Sequence, residues 1–193
     1  MTRICVFCGS STGLRPTYVD AARAMGLALV RRRLGLVYGG GCVGLMGTIA
    51  EAVLKGGGEV IGIIPEALVE RELAHRELAQ LIVVRSMHER KAKMAELSDA
   101  FIAMPGGFGT FEEFCEIITW AQLGLHLKPC ALLNGDGYYD ALLMLFDRAV
   151  EEGFLRPTNR RLVIEETDPH RLLEALASYT PPPTEKWIGR DES

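Results

Sequence analysis

The chain has 193 residues, 48% of them apolar and 24% charged, a balance that suits one domain with a sizeable core. Its net charge of −4 offers no basic surface to nucleic acid or anionic lipid. No apolar run approaches the roughly 20 residues that span a bilayer. The first strand starts almost at once, leaving no room for a signal peptide, so a cytoplasmic protein is expected.

RICVFC (Arg3 to Cys8) reads as a buried strand. The donor-rich loop GSSTG (Gly9 to Gly13) and a helix from about Tyr18 to Arg33 follow it. Arg31, Arg32 and Arg33 form the basic run of the chain and suit a solvated helix end. LGLVY (Leu34 to Tyr38) leads into GGGCVGLMG (Gly39 to Gly47) and a helix ending near Gly56. EVIGII (Glu59 to Ile64) stops at Pro65, and LIVV (Leu81 to Val84) precedes a helix from about Met87 to Leu97. DAFIAM (Asp99 to Met104) hands over through PGGFGTFEE to a long helix ending at Leu123. CALL (Cys130 to Leu133), a helix from about Tyr139 to Glu152, LVIEE (Leu162 to Glu166) and a helix from Asp168 to Tyr179 complete the pattern.

Strands alternating with helices of this length imply right-handed crossovers and a parallel sheet, hence a doubly wound α/β fold with helices on both faces. Residues 1–180 are expected to form one domain. Residues 181–193 (PPPTEKWIGRDES) form an extended tail, with Trp187 free to dock on the body or on a partner. Five cysteines, an odd number, argue against a disulfide framework. Cys5 and Cys8 spell CxxC, but positions three apart in a strand point to opposite faces, so they should not share a metal. The four histidines lack ligand spacing, and no metal site is expected.

Ligands of such sheets bind beyond the carboxyl ends of the strands, where this chain keeps its glycines. In PGGFGTFEE, Gly106, Gly107 and Gly109 let the backbone approach a ligand closely, and the first amides of the following helix make an anion site suited to phosphate. Glu113, one turn into that helix, is unhelpful for holding phosphate but useful for chemistry beside it. Thr110 and Glu113 are also spaced T-x-x-E, a capping box that needs no ligand. In the second loop Gly39, Gly41 and Gly44 match GxGxxG, with Gly40 in the same turn. The acidic residue a dinucleotide would want is Glu66, which lies just beyond Pro65. Together with Ser10, these turns suit one compact phosphorylated ligand better than a dinucleotide, and tight strand–helix packing is the alternative. In MHERKAKM (Met87 to Met94), Arg90 and Lys91 could face the same crevice, Arg90 with a bidentate grip on an anion. Otherwise, with Glu89 and Lys93 spaced i,i+4, the run is a solvated helix face.

PGGFGTFEE and RKAKM resemble the PGGxGTxxE and RKxxM signatures of the "Lonely guy" (LOG) family of cytokinin-activating phosphoribohydrolases, once labelled lysine decarboxylases. VYGGGCVGLMG and EIITWAQLGLHLKP are similar to the same family, and the likeness covers roughly residues 3 to 188. The resemblance implies a Rossmann-like, nucleotide-binding fold and a homodimer with active sites near the subunit interface. It also implies hydrolysis of the N-glycosidic bond of AMP or N6-substituted AMP, leaving ribose 5-phosphate, with no metal or organic cofactor. Carried over, Glu113 is the catalytic carboxylate and Arg90 its partner. Gly107, Phe108, Gly109, Thr110, Phe111 and Glu112 surround ribose and phosphate. Lys91, Thr119 and Glu72 match further substrate-contacting positions. A carboxylate near the ribose would stabilise an oxocarbenium-like state or activate water. The rival class is a non-catalytic binder of a phosphorylated ligand, resembling molybdenum-cofactor carrier proteins.

Overall fold

The computed structural model describes residues 1–69, 75, 78 and 80–182. In chain order its main elements are β1 (Arg3–Phe7), α1 (Pro16–Arg31), β2 (Gly35–Tyr38), α2 (Gly44–Lys55), β3 (Val60–Pro65), β4 (Gln80–Val84) and α3 (Met87–Glu96). They continue with β5 (Ala100–Ala103), α4 (Phe108–Gln122), β6 (Cys130–Leu133), α5 (Asp140–Glu151), α6 (Pro157–Arg160), β7 (Val163–Glu166) and α7 (Pro169–Ala177). The strands form one seven-stranded sheet in the order β4-β3-β2-β1-β5-β6-β7, parallel at every pairing. The chain therefore winds outward from β1 to β4 and then returns to the other side of β1 as β5. The crevice at the carboxyl ends of β1 and β5 is the topological switch point of a doubly wound sheet.

Strand alternation sorts the core into two layers. Ile4, Val6, Leu36 and Tyr38 pack with Met25 and Leu29 of α1, Ile49 and Val53 of α2, and Leu172 and Leu173 of α7. Cys5, Phe7, Val37, Ile63 and Phe101 face the other way, onto Met94 of α3, Phe114 and Ile117 of α4, and Leu143 of α5. Cys5 and Cys8 thus lie in opposite layers, as their spacing required.

Helix starts follow local chemistry. Pro16 opens α1 two residues earlier than expected, because its fixed φ and missing N–H suit a first helical position. Asp168 caps α7 by accepting from the amides of His170 and Arg171. Ser86 accepts from Glu89 N–H while the Glu89 carboxylate takes the Arg85 amide, so Glu89 serves a cap rather than Lys93. Lys93 pairs instead with Glu96. The basic run is more than a solvated end: Arg32 bonds Glu174 of α7 at 2.9 Å and the His170 carbonyl at 3.3 Å. The short α6 was not expected, and Trp187 with residues 183–193 lies outside the described residues.

Candidate active site

Three turns meet at the switch point. The Gly9 amide donates to the Pro105 carbonyl at 3.0 Å, while the Gly9 carbonyl accepts from the amides of Leu45 and Met46 at 3.0 and 3.3 Å. The loop after β1, the amino end of α2 and the turn after β5 are therefore bonded through one glycine. Two glycines make the approach possible. A Cβ on Gly44, whose φ is +63°, would stand 2.2 Å from the Ser10 carbonyl carbon, and one on Gly106 would stand 2.1 Å from Thr110 Oγ1 and 2.9 Å from the Gly9 nitrogen. Gly40, at φ +76°, serves the neighbouring turn: its Cβ would press on Ile64 and Leu81, and its carbonyl accepts from the His75 amide. Gly41 is buried in that turn, and Ser10 is exposed at the crevice.

Gly107 is the N-cap of α4, and no side chain caps that end. Thr110 is already the third helical residue and is buried, so T-x-x-E does not form the capping box its spacing also allowed. The glycine turn lets the helix begin earlier than that pattern implies. Among the described residues, the amides of Gly106, Gly107, Phe108, Gly109 and Thr110 have no backbone or side-chain acceptor, the first bond of the helix being Phe111 N–H to the Gly107 carbonyl. Aligned free amides at the positive end of a 15-residue helix form an anion cradle. Gly107 and Gly109 border it openly, with no atom within 4 Å of where a Cβ would stand. Phe108 projects beside them, 92% exposed.

Arg90 is buried, not on a solvated face. Its Nε donates to the Ile63 carbonyl at 3.1 Å and an Nη donates to the Gly39 carbonyl at 2.8 Å, which fixes the guanidinium across the ends of β2 and β3. Glu113 is half-buried. Burial pushes the Cys5 thiol well up, the Glu113 charge adds to the effect, and Arg90 opposes it, so both charges act beside β1. Burial and then Glu113 push the Cys8 thiol up as well.

Other expected site residues have partners of their own or lie outside the described residues. The Lys91 ammonium pairs with Glu112 and, at 3.0 Å, with Glu116, which ties α3 to α4. Burial works to lower its pKa, but the hydrogen bonds it donates to Glu112 and Glu116, with their charges, outweigh that and leave it raised. Phe111 turns inward against Tyr138 and Tyr139, with ring centroids 6.5 and 6.4 Å away. Thr119 is exposed farther along α4 and donates to the Cys115 carbonyl at 2.7 Å. Glu72 lies outside the described residues. Sequence reasoning missed Tyr138 and Tyr139, whose hydroxyls donate to the carbonyls of Gly106 at 2.5 Å and Met104 at 2.6 Å. The signal was the GDGYYD run, an aromatic pair straight after a glycine turn. Among the described residues, no group of three or more His, Cys, Asp or Glu side chains is placed for a metal, and no helix is long and apolar enough to cross a membrane.

A doubly wound parallel sheet, an uncapped helix start among glycine turns and a carboxylate one turn inside it define an α/β protein built around a compact anionic ligand. Residues 46–176 match the family model described as possible lysine decarboxylase. Over 179 residues the chain is 54% identical to cytokinin riboside 5′-monophosphate phosphoribohydrolase LOG2 of Arabidopsis thaliana, covering 93% of this chain and 84% of that protein. It is 52% identical to LOG7 of the same plant over 93% and 82% of the two chains. The chain belongs to the LOG family of phosphoribohydrolases. Among solved structures, the molybdenum cofactor binding protein of Rippkaea orientalis superposes with a TM-score of 0.69 at 24% identity, over 92% of this chain and 96% of that one. The molybdenum cofactor carrier protein of Chlamydomonas reinhardtii gives 0.68 at 19%, over 92% and 99%. Those two likenesses are of fold.

Proposed function

We propose that this protein hydrolyses the N-glycosidic bond of adenosine 5′-monophosphate and its N6-substituted forms, releasing the free base and ribose 5-phosphate. The observation that carries this reading is the uncapped amino end of α4 with Glu113 on the same helix. Phosphate held on the amides of residues 107–110 leaves Glu113 about one turn away, roughly 5 Å along the axis, a span that suits the sugar of the same nucleotide. There the carboxylate stabilises positive charge growing at C1′ or takes a proton from attacking water. Binding the non-reacting phosphate orients the reacting carbon and so contributes to rate. Arg90 supplies the nearby positive charge from a fixed position. Lys91 and Glu112, paired to each other, act by seating α4.

The decarboxylase description attached to the family model would need a lysine able to hold pyridoxal phosphate as an imine, and the described lysines do not fit. Lys91 is paired with two carboxylates, Lys128 donates to the Ala95 carbonyl, and Lys55 and Lys93 are ion-paired on the surface.

A homodimer is part of the proposal. Leu123, Leu125 and Leu127 after α4 and Met144 and Leu145 on α5 are exposed apolar side chains that a second copy would cover. Thr119, on the outer side of α4, would meet a nucleotide only across such a contact. A cytoplasmic setting suits the five free thiols, with Cys42 and Cys115 exposed. Light scattering on the purified chain tests the dimer.

Incubation with AMP and with N6-isopentenyl AMP, followed by chromatography of the released base, tests the activity. Glu113→Gln is expected to lower turnover about 10²- to 10⁴-fold while nucleotide binding survives. Full activity in that variant refutes the assignment of Glu113. Tight nucleotide binding by the native protein with no base released favours a non-catalytic carrier.

A further inference from the structure

We propose that Tyr138 is a positioning residue whose hydroxyl aims the Gly107 amide at the substrate phosphate. The inference rests on phosphate lodging at the amino end of α4. The peptide joining Gly106 and Gly107 is trans, so its carbonyl and its N–H point in opposite directions. Tyr138 holds that carbonyl at 2.5 Å, on the side of the protein body. The Gly107 amide is thereby turned away from the body. The preceding peptide is fixed in the same manner: the Pro105 carbonyl is taken by the Gly9 amide, which turns the Gly106 amide to the opposite side. Two consecutive amides with their carbonyls tied back thus precede the free amides of the helix and add to the donors at its amino end.

The tyrosine itself is held by its neighbours. Its ring meets Tyr18 edge-on at 5.7 Å and Tyr139 edge-on at 5.0 Å, and it lies over Phe111. Gly13 packs so closely on Tyr18 that a Cβ there would stand 2.9 Å from the ring, so the loop after β1 backs onto the same aromatic group. The turn that carries Tyr138 is tied on both sides. Thr17 at the start of α1 donates to the Asp136 carboxylate at 2.6 Å, and Asn134 bonds Asp140, Glu165 and the Tyr139 amide.

Tyr139 provides the control. Its hydroxyl holds the Met104 carbonyl, but the amide of that peptide belongs to Pro105, which has no N–H to aim. Losing either hydroxyl removes one hydrogen bond to a carbonyl between β5 and α4, yet only Tyr138 sets the direction of a donor. Tyr138→Phe and Tyr139→Phe are therefore expected to lower Tm by a similar few degrees, about 2–6 °C each. Only Tyr138→Phe should weaken binding of ribose 5-phosphate, by about fivefold to twentyfold in titration calorimetry. The KM for AMP should rise by the same factor, with kcat nearly unchanged. An unchanged dissociation constant in Tyr138→Phe overturns the proposal, and so does an equal weakening in Tyr139→Phe, which would mean packing alone. If the native protein binds ribose 5-phosphate but releases no base from AMP, the hydrolase reading fails while this one is judged by the same titrations. If it binds no phosphorylated sugar at all, both fail.

Discussion

Gly109 gives the sharpest test, because stability and function should move in opposite directions there. It is the second residue of α4, it is exposed, and no atom stands within 4 Å of the position a Cβ would take. Alanine at a helical glycine with free space stabilises by about 0.5–1 kcal/mol. In a chain of this length that corresponds to a gain of about 1–4 °C in Tm. The same methyl group would stand at the mouth of the amide cradle, where the ligand has to approach the backbone. Gly109→Ala should therefore lower kcat/KM for AMP at least about tenfold, a loss of about 1.4 kcal/mol in transition-state stabilisation. Gly106→Ala is the comparison. Its methyl group would collide with Thr110 Oγ1 and the Gly9 nitrogen, so it should lose stability and activity together. Calorimetric melting and a base-release assay on the variants decide the matter. Gly109→Ala with a raised Tm and native kcat/KM refutes the claim that this glycine is kept open for a ligand.

Arg90→Ala should abolish base release and destabilise by about 2–5 kcal/mol in urea titration, since it strips a buried donor from the Gly39 and Ile63 carbonyls. Stability and activity near native would return Arg90 to a peripheral role. Gly44→Ala and Gly57→Ala both place a side chain at positive φ, but Gly57 has open space where Gly44 meets the Ser10 backbone. Gly57→Ala should cost about 1 kcal/mol and Gly44→Ala more than about 3 kcal/mol, and equal losses would show the contact between the turns to be soft. Asp99 carries an acid-sensitive fastening. Burial works to raise its carboxyl, but the amides of Thr2 and Arg3 and the Thr2 hydroxyl hold it below the usual aspartate range. Its contribution is thus complete above the unfolded pKa of about 3.9 and disappears as pH falls through the lower folded value. The stability gap between native protein and Asp99→Asn should close over that acid window, and a gap independent of pH would contradict the assignment.

Much of this was readable from residue order because the strands are short, apolar and bounded by glycine or proline. CALL occupies the expected positions, and the two cysteines of CxxC separated across the sheet by the alternation of a strand alone. The glycine turns were readable as a crevice because a doubly wound sheet has one place to put them. What escaped depended on contacts between elements. T-x-x-E could also be read as a cap, because nothing local reveals that the preceding glycines start the helix at Phe108. For Lys91 a crevice-facing and a solvated reading both stood, because nothing local reveals that α4 lays Glu112 and Glu116 over it. Two of the groups that fix Arg90 are carbonyls on β3 and just past β2, and carbonyls carry no residue-type signal. Tyr138 reaches a turn 32 residues away, which only the register of β6 beside β5 could predict.

Because β1 lies between β2 and β5, the crevice draws on residues 9–13, 39–44 and 105–110, and Gly9 cannot find Pro105 until everything between them has left the ribosome. β1, made before the other strands of this sheet, must wait with one edge bare while β2, β3 and β4 assemble on its other side. Ligand-binding capacity should then arise late and abruptly during synthesis, when β5 slots in and joins the two halves of the sheet.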